Sequence, residues 1–73
     1  MDKEAIKKKG LAVIADGISE ITARPDSEYG AINAAEIRGK IRLMYELELI
    51  DLGERNHLQD TLRSAQMYAH EHN

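Results

Sequence analysis

The chain contains no cysteine, no phenylalanine and no tryptophan, and a single proline. Without thiols there is no disulfide and no zinc ribbon or finger, so its 73 residues must be held together by packing or by assembly. A chain this short buries only about 60% of the surface that its unfolded form exposes. With three Tyr as its only aromatic residues, the core is aliphatic, built from Ile, Leu, Val, Met and Ala. A β-sandwich or barrel would show more aromatic and β-branched alternation. Long apolar runs are missing too. The longest near the start, Leu11 to Ala15, has five residues, too few for a signal-peptide core or a membrane span. The expectation is a cytoplasmic protein with no membrane partner.

Charge of one sign is also scarce. Ten Lys and Arg stand against thirteen Asp and Glu, and nearly all of the acidic excess falls from Asp26 onward, where nine acids meet five bases. A general nucleic-acid binder needs a basic face that displaces counterions from phosphates. This chain offers only the short Lys7-Lys8-Lys9 cluster.

What is present is helical periodicity. Helix 1 is expected over about residues 2–22, where Leu11, Ile14, Ile18 and Ile21 recur at helical spacing. Ile6, Gly10, Val13 and Gly17 form a second line beside them. Each glycine costs a helix roughly 1 kcal/mol against alanine, so this line marks either the close approach of another helix or a break near Gly17. A loop is expected over 23–32, because Pro25 biases Arg24 away from helical dihedrals and Gly30 tolerates positive φ. Helix 2, over about 34–49, opens on the capping-box spacing Asn33-Ala34-Ala35-Glu36. It is apolar on two sides: Ala34, Ile37, Ile41, Met44 and Tyr45 on one, and Gly39, Leu43, Leu47 and Ile50 on nearly the opposite one. A helix apolar on two sides is buried on two sides. Asp51-Leu52-Gly53-Glu54 repeats the capping spacing and starts helix 3, over about 52–70, with Leu58, Leu62, Ala65 and Ala69 in its stripe.

Groups that could carry chemistry are few. His57, His70 and His72 do not fall at the i, i+4 spacing of a helical zinc motif, and neither metal nor cofactor is expected. Ser19, Ser27, Ser64, Thr22 and Thr61 lie in no nucleophile motif, and the glycines are dispersed singly. A thin core of this size hardly encloses a pocket, so the chain is not read as an enzyme. A helix-turn-helix through helices 1 and 2 would present Arg38, Lys40 and Arg42 to DNA. The long loop and the acidic second half argue against it, and it stands as the alternative reading.

The expected fold is therefore all-α: three helices in one small domain, with an antiparallel hairpin of helices 2 and 3, assembled as a homodimer. The expected function is a non-catalytic interaction module, a regulator, adaptor or inhibitor. Its partners are itself and another protein, and its contact face is Gly39, Leu43, Leu47 and Ile50. Replacing Asp51 by Ala removes the cap of helix 3, and urea titration should show a loss of about 1 kcal/mol; a loss indistinguishable from zero would move the helix boundary.

Overall fold

The computed structural model describes residues 2–23 and 28–71, with side chains placed at all of these except 28–31. They form three helices, α1 (Lys3–Ala23), α2 (Glu28–Glu46) and α3 (Leu52–Glu71), and no strand occurs among the described residues. One aliphatic core joins all three, with Ile14 and Ile21 from α1, Ala34, Ile37, Ile41 and Met44 from α2, Ile50 from the α2–α3 turn, and Leu62 and Ala65 from α3. Leu11, Ile18, Leu58 and Ala69 pack against it, as the helical spacing predicts.

Helix α1 starts where Asp2 accepts the Glu4 N–H on its side chain (3.0 Å) and the Ile6 N–H on its carbonyl (3.2 Å). It runs unbroken through Gly10 and Gly17. Of the two explanations for that glycine line, close approach is the one observed. A Cβ built on Gly17 would meet Cδ1 of Ile37 at 2.6 Å and Cγ1 at 2.9 Å, and one on Gly10 would meet Sδ of Met44 at 2.9 Å. The order of these pairs, Gly10 with Met44 and Gly17 with Ile37, also shows that α1 and α2 run in opposite senses along their contact. On the other side of α1, Lys7 Nζ reaches Glu54 of α3 at 3.0 Å. The hydrogen bond to Glu54 holds the Lys7 ammonium above its ordinary pKa. A raised lysine value contributes stability throughout the range below 10.5 and loses it only as pH climbs through the raised value.

Helix α2 differs from expectation at both ends. It begins at Glu28, so residues 28–32 of the expected loop are helical and Asn33 lies inside the helix, half-buried, instead of capping it. Once a helix exists, each added residue brings a further backbone bond. That gain outweighs the local capping signal of Asn33 and the cost of Gly30. Arg24, Pro25, Asp26 and Ser27 of the same expected loop lie outside the described residues.

At its C-terminal end α2 stops at Glu46, three residues early. The Glu48 N–H donates to the Tyr45 carbonyl (3.0 Å) and the Leu49 N–H to the Met44 carbonyl (2.9 Å). These two bonds are the Schellman pair that closes a helix C-terminus, with a left-handed residue between them. Glu48 takes that position with φ 61°, a conformation that costs a residue with a Cβ roughly 1–2 kcal/mol. The turn then carries Leu49 and Ile50 inward onto the core. Helix α3 opens on the reciprocal box: the Glu54 N–H donates to Asp51 Oδ1 (2.7 Å) and the Asp51 N–H to Glu54 Oε1 (3.2 Å).

Two substitutions test this geometry by urea unfolding. Glu48→Gly relieves the left-handed residue and should raise stability by about 0.5–1 kcal/mol; an unchanged or lower midpoint would deny that the turn stores strain. Gly17→Ala drives a methyl into buried Ile37 and should lose about 1–3 kcal/mol to overpacking, partly offset by about 1 kcal/mol of helix propensity. Gly10→Ala meets only the flexible end of Met44 and should be the milder of the two; the reverse order would contradict the packing described.

Candidate functional site

The inner face of α2 is spent on the core, with Ala34, Ile37 and Ile41 each at most 2% exposed. At about 100° per residue, Ile32, Gly39 and Leu43 fall within about 20° of one line on the opposite side, and Leu47 about 60° from it. Ile32 is 62% exposed, Leu43 53% and Leu47 56%. A Cβ added to Gly39 would meet nothing within 4 Å.

Of the four residues expected on this face, Gly39, Leu43 and Leu47 are there and Ile50 is not. Ile50 is 4% exposed, in the core. The expectation assumed a helix as far as residue 49, whereas the Schellman turn at Glu48 breaks the helical phase and rotates Ile50 inward. Ile32 takes its place at the other end of the stripe. It was hidden from sequence reasoning by the loop assigned over 23–32, and its helical spacing from Gly39 was the available signal.

Helix α1 widens the face. Ile6 and Val13 are 39% and 43% exposed and lie across the Gly10–Gly17 line from buried Ile14. With Gly10 against Met44 and Gly17 against Ile37, Ile6 comes near the level of Leu47 and Val13 near that of Ile41. They border the α1–α2 groove on its solvent side.

The three cations of α2 do not converge. By the same helical spacing, Lys40 sits on one flank of the stripe and Arg38 and Arg42 on the other. Arg42 Nε donates to Glu46 Oε1 at 3.0 Å within the helix, and Arg38 donates to Gln66 Oε1 of α3 at 3.4 Å. The side-by-side contact of α1 and α2 spans seven residues, about 10 Å of helix, unlike the crossing at about 90–120° of a helix-turn-helix.

Elsewhere the large apolar side chains that stand exposed are Leu52, Met67 and Tyr68 of α3. Four acids, Glu46, Glu48, Asp51 and Glu54, rim an open depression at the α2–α3 turn. The Arg55 guanidinium stacks over the Tyr45 ring at 4.8 Å from its centre. His57 and His70 are exposed on α3, and His72 lies outside the described residues. Among the described residues, no three His, Asp or Glu side chains gather so as to hold a metal ion, and no helix is long and apolar enough to cross a membrane.

No protein family, curated protein or solved structure matches the chain.

Proposed function

We propose that this chain is a non-catalytic protein-interaction module, a regulator, adaptor or inhibitor that acts by laying the outer face of α2 against another protein. In the partner's absence a second copy covers that face, so self-association and partner binding compete for one surface. The module is an all-α up-down-up arrangement in which α2 and α3 form an antiparallel hairpin. Two contacts in descending order support the hairpin: Arg38 with Gln66 and Tyr45 with Arg55.

The observation that carries the proposal is the exposed stripe of Ile32, Gly39, Leu43 and Leu47, opposite the buried one. Fully burying one Leu or Ile is worth roughly 1.5–3 kcal/mol. Three such side chains left more than half in water therefore forgo on the order of 3 kcal/mol. A chain of 73 residues has about 4–11 kcal/mol of net stability in all. Scattered exposed hydrophobics are ordinary, but several in one line on one helix mark an interaction surface.

The test is the double variant Leu43→Lys with Leu47→Lys. Both side chains are already largely in water, so the variant should fold, with stability within about 0.5 kcal/mol of the parent. Sedimentation equilibrium should show that it has lost a dimer that the parent forms, and affinity capture from the native host should show that it has lost the partner. A parent that sediments as a monomer, together with a variant that keeps full activity, would mean that this face is neither seam nor binding surface.

A further inference from the structure

We infer that the groove between α2 and α3 is a second binding surface, edged by arginine, whose ligand is a short acidic segment of another protein. This surface shares no residue with the apolar stripe of α2.

The two kinds of cation are segregated in this chain. Of its five arginines, Arg38 and Arg42 lie on α2 and Arg55 and Arg63 on α3, while four of its five lysines lie on α1. The contacts between α2 and α3 bring the four arginines together. Arg38 reaches Gln66 at 3.4 Å and the Arg55 guanidinium stacks on the Tyr45 ring, so Arg63 comes level with the stretch of α2 between Arg38 and Arg42. By helical spacing, Arg38 and Arg42 follow the solvent side of the edge that α2 turns to α3, and Arg63 follows the matching edge of α3. Arg55 and Arg63 line one open depression there, together with Asn56, Gln59 and Asp60. The four arginine positions fall along about 12 Å of groove.

Little of this charge is neutralised within the protomer. Arg42 pairs with Glu46 at 3.0 Å, and Asp60 shares the depression with Arg55 and Arg63. The remaining partners are neutral: Gln66 Oε1 accepts from Arg38, and Asn56 Oδ1 accepts from Arg55 Nη2 at 3.1 Å. Among the described residues Arg63 has no partner, and neither has Arg55 Nε. Four guanidiniums against two carboxylates leave the groove positive in a chain whose net charge is -3. A surface of sign opposite to the rest of the molecule draws an anionic partner to that place and away from others.

Length selects a peptide over a nucleic acid. Glu48, Asp51 and Glu54 rim the turn beyond Arg55, and Glu71 borders the surface at the opposite end, past Arg63. A nucleic-acid strand, with a charge about every 3.4 Å, would run onto one acidic end or the other. About 12 Å instead holds roughly four residues of extended peptide at about 3.3 Å each, and guanidinium forks bind carboxylates through two parallel hydrogen bonds. Gln59, half-buried in the depression, has no side-chain partner among the described residues. Its amide offers both a donor and an acceptor. A peptide backbone matches both, whereas a phosphodiester carries acceptors alone.

The probe that tests this is a fluorescein-labelled tetraglutamate peptide flanked by glycines, titrated with the full chain at low salt and followed by fluorescence anisotropy. Two double variants carry the same change of net charge: Arg42→Gln with Arg63→Gln in the groove, and Lys8→Gln with Lys9→Gln on α1. All four side chains are exposed, so both variants should keep the parent's helicity by circular dichroism. The expected result is saturable binding to the parent, weakened roughly 3- to 10-fold in the groove variant and less than about twofold in the α1 variant. A parent that does not bind the peptide overturns the inference. Equal losses in the two variants overturn it as well, because the peptide would then be reading net charge and not the groove. A labelled tetrathymidylate that binds more tightly than the peptide, with the same dependence on Arg42 and Arg63, would overturn the acidic peptide as ligand and assign the groove to nucleic acid.

Discussion

The fold depends on how closely α1 can approach α2. With no Phe or Trp to fill space, an aliphatic core of this size holds together only if its helices come close enough for Ile and Met to reach across. Gly17 makes that possible, since the position a Cβ would take is already occupied by the end of Ile37. Ile37 is in turn the centre of the inner face of α2, between Ala34 and Ile41. Dispersion contacts fall away steeply with even small gaps, so the glycine contributes more through the packing it admits than it costs in helix propensity.

The second constraint is the turn between α2 and α3. A helix cap on each side, Schellman at Glu48 and capping box at Asp51, confines the reversal to a few residues. Those residues choose which apolar side chains go in. Leu49 and Ile50 are turned onto the core, while Leu47, the residue just past the end of α2, stays outside with Leu43. A left-handed Glu where glycine is usual is the cost of this arrangement.

From these two constraints the outer face follows. Helices α1 and α3 pack against each other as well as against α2, and both approach α2 from the same half of its circumference, so its other half has no cover within the protomer. The apolar, glycine-containing stripe of Ile32, Gly39, Leu43 and Leu47 lies on that half, in water.

The three helices, their aliphatic stripes and the cap at Asp51 were legible in the sequence, because period and capping chemistry are local and each residue states them for itself. The two-sided character of α2 was legible for the same reason, and so were three of the four residues assigned to its outer face. The start of α2 was not. Asn33 carries a real capping signal, and only the upstream turn from Glu28 that the helix adds overrides it. The place of Ile50 was not legible either, since it depends on a left-handed residue that no glycine announced. Nor could the sequence say whether Gly10 and Gly17 meant a break or a contact: a glycine without a neighbour and one with a neighbour read alike along the chain. Only the tertiary structure separates them, setting Ile37 against Gly17 and leaving Gly39 open, because close approach belongs to two segments at once and is written in neither alone.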